Sequence, residues 1–288
     1  MADSSVASSP SQRRWLGRRS ILLICLVALM AVGGAIWHLA TRRPAGPAQG
    51  TSFNGQFPRP AEPRTTIRVG TYNIHGCVGR DHQLDYGRTA DCLRDLDLVG
   101  LNEVHGGTPW QPQDQAEMLG RRLSLPWLFV PTERRWARES FGNAALTSLP
   151  VTSWLRIPQA GTQSSFRNML LLGVMQGNTK INVLITHADH GPDRQMQLRA
   201  AISLFLSLAE PAILMGDMNS TIDDPQLQAL LATPGVEDAA SQADGVRPVK
   251  LIDWIITRGL RTVRSTIKDN GASDHPIVLA ELELLPPG

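Results

Sequence analysis

From Ile67 onward the chain is a succession of short apolar runs whose ends carry carboxylates, carboxamides and imidazoles. Thr71-Tyr72-Asn73-Ile74-His75, Gly100-Leu101-Asn102-Glu103, Thr186-His187-Ala188-Asp189-His190 and Gly216-Asp217-Met218-Asn219 each close such a run. Leu251-Ile252-Asp253 leads into one, and Ser273-Asp274-His275 stands just ahead of the last. Short apolar runs bounded by turn-forming residues read as strands with buried faces. Strand ends lying side by side bring such polar groups to one rim of a sheet. The pattern therefore asks for a fold that gathers strand ends, and for chemistry that uses oxygen ligands and imidazoles together.

The expected strands cover Ile67 to Ile74, Leu98 to Val104, Ala144 to Thr147, Met169 to Met175, Ile181 to Thr186, Ala212 to Met215, Ile252 to Thr257 and Ile277 to Leu284. Helical spacing marks Tyr86 to Leu96, with Thr89, Cys92, Leu93 and Leu96 on one side, and Gln111 to Leu123, with Ala116, Leu119 and Leu123. A further helix runs from Arg194 to Leu208, with Met196, Arg199, Ala200, Ser203 and Leu204 spaced along it. Adjacent strands mixed with a few helices predict an α+β or layered sandwich, and a strictly repeating βαβ barrel fits poorly.

The first 66 residues differ in kind. Ile21 to Ala40 holds no charged residue and one histidine, and its length suits a bilayer core of roughly 30 Å. Arg13, Arg14, Arg18 and Arg19 precede it and Arg42 and Arg43 follow, so the positive-inside bias puts residues 1–20 in the cytoplasm and the bulk outside. Arg18-Arg19-Ser20-Ile21-Leu22 resembles a twin-arginine export signal, but no Ala-x-Ala site closely follows the apolar run, which favours an uncleaved anchor. This predicts a single-pass inner-membrane protein with its globular part on the periplasmic side. Residues 41–66, rich in Pro, Gly and small polar residues, read as a tether, with the globular domain spanning 67–288.

The formal charge of +2 hides an asymmetry: residues 1–66 hold eight arginines against Asp3 and Glu62, leaving 20 basic and 24 acidic residues for the remainder. A mildly acidic domain lacks the basic footprint of a protein that grips long nucleic acid by its phosphates. Of three cysteines, Cys25 lies in the apolar run. Cys77 and Cys92 could pair in an oxidising compartment, although two partly buried thiols are the plainer reading, and no Cys or His spacing suggests a zinc site.

Magnesium, with manganese as the alternative, prefers oxygen ligands and keeps several waters, so one or two carboxylates plus a substrate phosphate suffice. Glu103 and Asn73, each closing a strand, could form such a site, and Asp274 could face the metal or its water shell. Asp217 could orient or deprotonate an attacking water, and Asn219 could hold it. His187 and His275 offer donors to the charge on a phosphoryl group in flight, and Asp253 is suited to orient His275. Asn143 and Arg167 are candidate phosphate contacts, although a turn and a surface ion pair are the plainer alternatives. Asp189 either meets the substrate or shapes the turn with His190.

In their order TYNIH, LNEV, GNAAL, THADH, GDMN, LIDWI and SDHPIV, these stations resemble the endonuclease/exonuclease/phosphatase superfamily, which includes DNase I-like nucleases, neutral sphingomyelinases and inositol-polyphosphate phosphatases. The resemblance runs from about Ile67 to Leu284. It implies a four-layered sandwich of two packed β-sheets flanked by helices. It also implies that Asn73 and Glu103 bind a divalent metal with Asp274 nearby, that Asp217 and Asn219 handle the water, and that His187 and His275 stabilise the phosphate, with Asp253 orienting His275. Asn102 stands where many members have Gln. Besides Tyr72 and Tyr86 the domain has no tyrosine, so the phosphate-side tyrosine of apurinic-site nucleases is missing. The expected activity is phosphoester hydrolysis on a phospholipid, a phosphorylated small molecule or nucleic acid, with no obligate protein partner. A DNase I-type nuclease outside the cytoplasm and a non-catalytic binding module are the alternatives.

Overall fold

The computed structural model describes residues 10–57, 64–136, 138–161, 165–242 and 247–285. The outermost N-terminal residues and part of the expected tether, residues 58–63, lie outside the described residues. In chain order the elements are α1 (Pro10–Ala40), β1 (Arg43–Pro44), β2 (Ala48–Gly50), β3 (Thr66–Asn73), α2 (Tyr86–Cys92), β4 (Leu98–His105), α3 (Gln115–Leu123), β5 (Trp127–Arg135), β6 (Arg138–Thr147) and β7 (Val151–Pro158). They continue with β8 (Asn168–Gln176), β9 (Thr179–His187), α4 (Arg194–Ser207), β10 (Ala212–Asp217), α5 (Pro225–Leu231), β11 (Val236–Asp238), α6 (Ala239–Gln242), β12 (Asp253–Arg258), β13 (Leu260–Lys268) and β14 (Ile277–Leu284).

Two units divide the chain. The first contains residues 1–42 with 135–137, and in it Ser20–Ala40 is long and apolar enough to cross a membrane, a test that a signal sequence also passes. The second holds the remainder. Among its described residues are two sheets of seven strands, ordered β1-β5-β6-β4-β3-β14-β13 and β11-β12-β10-β9-β8-β7-β2. Both are mixed: β3 runs parallel to β4 and β9 parallel to β10, while the neighbouring pairings are antiparallel.

Alternation along the strands builds the layers. Leu98, Ile213, Met215 and Ile255 join residues of both sheets in a central core, while their neighbours turn outward. Val99 packs with Leu93 of the α2 end and Leu119 of α3. Leu214, Trp254 and Ile256 pack with Leu198 and Phe205 of α4 and Leu227 of α5. Each central strand is thus buried on both faces, at about 1.5–3 kcal/mol of hydrophobic stabilisation per large apolar side chain. The result is the helix-flanked double sheet.

Helix starts follow their caps. Asp85 accepts from the backbone N–H groups of Gly87 and Arg88 at 2.7 and 3.1 Å, and Asp114 accepts from Glu117 N at 2.7 Å. Asp224 caps α5, whose first residue is Pro225. Two expectations need correction. The face buried by α4 is Gln197, Leu198, Ala201 and Phe205; Met196 is exposed, because the same periodicity fits the adjacent stripe equally well. Part of the expected tether is ordered against the sheets. Arg43–Pro44 pairs with β5, Ala48–Gly50 pairs with β7, and Ala45 and Phe53 are buried. Cys77 is buried, Cys92 half-buried, and both are free thiols.

Candidate active site

The polar ends of β3, β4, β9, β10 and β12 meet at one end of the sandwich. β3 and β4 run parallel in one sheet, as do β9 and β10 in the other, so the C-terminal ends of each pair lie together. β12 runs antiparallel to β10 with Asp253 opposite Asp217, which is why a residue opening a strand joins residues that close theirs.

Backbone geometry at these ends is special. Gly216 has φ +135°, and a Cβ there would lie 1.8 Å from the Thr186 carbonyl oxygen, so the approach of β10 to β9 requires glycine. A register shift in the β4–β6 pairing falls between Leu101 and Val104, and Glu103 within it adopts φ +56°. A non-glycine residue held left-handed in a bulge is a strained arrangement that redirects its side chain. Asn219 also has positive φ, +47°, which asparagine tolerates better than most residues.

Asp217 is the centre. Its carboxylate, 1% exposed as a residue, accepts from Asn73 Nδ2 at 3.0 Å and from Asn219 N at 2.8 Å. The Oδ2 atom lies 3.6 Å from His187 Nε2 and 3.8 Å from His275 Nε2. His187 Nε2 is also 4.0 Å from Glu103 Oε1, while His275 Nδ1 is 2.8 Å from Asp253 Oδ2. Asn73, Glu103, His187, Asp217, Asp253 and His275 thus form one contiguous cluster.

The electrostatics separate these groups. Burial, reinforced by the Asp253 charge and opposed by His275, raises Asp217 to about 7. Burial also raises Asp253, against the hydrogen bond and charge of His275. For His275 burial alone would favour the neutral ring, but the bond to Asp253 and the charges of Asp253, Asp217 and Asp274 outweigh it and raise the imidazole to about 9. His187 goes the other way: complete burial, then the charges of Arg167 and His275, push it well below the usual histidine range.

The remaining expected residues fall around this cluster. Asp274 is more exposed, accepting from Ser273 Oγ at 3.1 Å and standing 3.8 Å from His75 Nδ1. Asn219 Nδ2 donates to the Ala188 carbonyl at 2.9 Å. Arg167 turns inward: its side chain is only 10% exposed and lies 4.0 Å from the buried Asp189 carboxylate. Asp189 accepts from Ser165 Oγ at 2.8 Å, and its N–H donates to Gln197 Oε1 at 2.8 Å, which explains why α4 buries a glutamine. Asn143 is fully buried with both ends of its amide engaged. It accepts from Asn102 Nδ2 at 2.8 Å and donates to Asn168 Oδ1 at 2.9 Å, while Asn102 Oδ1 accepts from Asp217 N at 2.9 Å. This carboxamide chain ties the two sheets together beneath the cluster. Asn168 was not singled out in the sequence; nor was Arg247, which donates to the Asp253 carbonyl at 2.7 Å. Asn168 opens β8 and Arg247 lies outside the strands.

The donor set suits a hard cation. The Glu103 carboxylate and Asn73 Oδ1 offer oxygens at neighbouring strand ends, and a hard divalent ion needs few protein ligands. Asp217, Asp253 and His275 also present ligand-type atoms within 4.8 Å of one another. Two of those three groups are already joined by the 2.8 Å bond between Asp253 and His275, while Asp217 Oδ2 stands 3.8 Å from His275 Nε2.

Residues 70–275 match the model of the Endonuclease/Exonuclease/phosphatase family. Among curated proteins there is no match. An endonuclease/exonuclease/phosphatase from Beutenbergia cavernae is similar at TM-score 0.63 and 24% identity, covering 77% of this chain and 72% of that one. One from Bacteroides vulgatus is similar at TM-score 0.62 and 17% identity, covering 77% and 100%. D. rerio TDP2, humanized by 14 mutations, gives TM-score 0.57 and 18% identity, covering 76% and 100%. At these identities the structural likeness speaks for the fold. Together with the family match over residues 70–275, it means that the chain belongs to the endonuclease/exonuclease/phosphatase family.

Proposed function

We propose that this chain is a magnesium-dependent phosphoester hydrolase, tethered to the inner membrane through residues 21–40 and acting on the periplasmic side. The family supports metal-dependent phosphoester hydrolysis in general terms. The observation that carries the reading is the Asp217-centred cluster, in which two histidines of opposite protonation preference face one buried carboxylate. Glu103 and Asn73 would hold the cation, with Asp274 near its water shell; manganese suits the same oxygens. Bound there, the ion would neutralise charge on the phosphate oxygens.

The chain's own residues supply the other steps. Asp217, raised to about 7, is poised to take the proton of a water as its oxygen attacks phosphorus. Asn219, fixed by its bond to Ala188, borders that water. His275 carries a proton at neutral pH and directs Nε2 at the charge that builds on the equatorial oxygens, while Asp253 holds the ring. His187 contributes a neutral N–H donor. Arg167 and Asp189 border the substrate, and Asn143 supports the floor through Asn102. As the new P–O bond forms, the old ester bond breaks and its oxygen leaves with the electron pair.

A mildly acidic domain and a membrane tether favour phospholipids or phosphorylated small molecules over long nucleic acid. Hydrolysis of phospholipids, phosphomonoesters, plasmid DNA and RNA by the full chain tests the substrate class. Turnover confined to DNA would replace this reading with an extracytoplasmic nuclease. A reporter fused after residue 288 should be active only outside the cytoplasm, and a cytoplasmic signal would overturn the anchored topology.

A further inference from the structure

We infer that Arg247 is a positioning residue for the Asp253–His275 pair, acting through the backbone of Asp253. The inference rests on the hydrolase reading above for its catalytic consequence. Arg247 is 5% exposed, a poor place for a cation without partners. It has partners on three sides. Nη2 donates to the carbonyls of Asp253 at 2.7 Å and Leu251 at 3.1 Å, and Nη1 donates to Asp238 Oδ1 at 3.1 Å. The guanidinium carbon lies 3.2 Å from the ring centroid of Trp254, within reach of a cation–π contact.

Each anchor is itself fixed. Asp238 ends β11 and also accepts from Ala240 N at 3.2 Å. Trp254 Nε1 donates to the Ser220 carbonyl at 2.8 Å, just beyond the Asp217–Asn219 turn. The two acceptor carbonyls, Leu251 and Asp253, bracket the entry of β12, so the planar fork of Arg247 sets the peptide from which the Asp253 carboxylate projects. That carboxylate is fully buried. Its Oδ2 meets His275, its Oδ1 makes no hydrogen bond among the described residues, and the Arg247 charge favours its ionised form after the hydrogen bond and charge of His275. A fixed peptide and a buried positive charge thus converge on the one group that orients His275. Among the described residues the Arg247 hydrogen bonds go to Asp238, Leu251 and Asp253, so its effect on chemistry passes through Asp253.

A double-mutant cycle on the full chain tests this, with bis-p-nitrophenyl phosphate and magnesium as the assay. Arg247→Met should lower kcat by about 10- to 100-fold with KM little changed, the size usual for outer partners that orient a site residue. In a His275→Ala background the same substitution should cost less than about twofold, because the path it acts through is already cut. Arg247→Lys, which keeps the charge and loses the fork, should recover part of the loss. Equal losses in both backgrounds, or full activity in Arg247→Met, would overturn the inference while leaving the hydrolase reading intact. If Arg247→Met does not fold, Arg247→Lys runs the same cycle with the same two criteria. A second readout needs no turnover: the His275 Nδ1–H proton resonance, sheltered by its bond to Asp253, should be present in the wild type and lost to exchange in the Arg247 variants. Its persistence there would overturn the inference, whereas a silent wild-type enzyme would count against the hydrolase reading alone.

Discussion

The His187 side and the His275 side of the site place the same side chain on either flank of Asp217, at 3.6 and 3.8 Å, and give it opposite character. His187 ends β9, is completely buried, and has Arg167 as a nearby charge, so the neutral ring is favoured. His275 lies in a loop, bonded to Asp253 at 2.8 Å, and the charged ring is favoured. Distance to the central carboxylate therefore does not set the charge of either imidazole: burial decides for His187, and the bonded Asp253 decides for His275. One donor is then a fixed dipole and the other a cation.

If this contrast is right, the larger loss follows His275. His275→Ala should lower kcat by roughly 10²-fold or more, as for other groups aimed at developing charge. A loss below about tenfold would reduce it to a structural residue. His187→Gln, which keeps an N–H donor, should cost only about tenfold, whereas His275→Gln should approach the full alanine loss. Matching losses for the two glutamine variants would erase the distinction.

The metal-free protein offers a second way to break it, through stability against pH. His275 has a raised folded value, so its contribution is fully present below the unfolded value near 6.5 and is lost as pH rises through about 9. His187 has a lowered folded value, so its contribution is lost as pH falls below about 6.5. His275→Gln should flatten the alkaline limb of a Tm–pH profile, and His187→Gln the acid limb. Asp217, raised to about 7, works against the fold as pH rises toward that value, and in His275→Gln it also loses the charge that opposes its rise. An alkaline limb unchanged by His275→Gln would contradict the assignment.

The smallest expected effect lies beneath both flanks. Asn143→Ala leaves buried amides of Asn102 and Asn168 short of a partner, at a cost of about 1–3 kcal/mol in denaturant unfolding. Unchanged stability would mean that water replaces the lost amide.

The same contrast shows what a sequence displays. Strand ends with Asn73, Glu103, His187 and Asp217 stood out because residues 98–101 and 212–216 hold no polar side chain before their motifs, and the β3 and β9 runs are largely apolar. The strand character of β13 did not, since Arg261, Thr262 and Arg264 break the apolar run. Pro131 within β5 likewise masks a strand, because proline is confined to edges and irregular positions of a ladder. The register that puts Asp253 opposite Asp217 is a property of the folded sheet. Arg247 lies in a loop without periodicity, and its burial arises only when Trp254, Asp238 and the entry of β12 converge on it.

The most direct measurement of the central claim is hydrolysis of bis-p-nitrophenyl phosphate by the purified full chain, with magnesium and with a chelator, beside Glu103→Gln. Turnover should require the ion and disappear in Glu103→Gln while the variant keeps its fold. Turnover that survives the chelator, or wild-type turnover in Glu103→Gln, would contradict that claim.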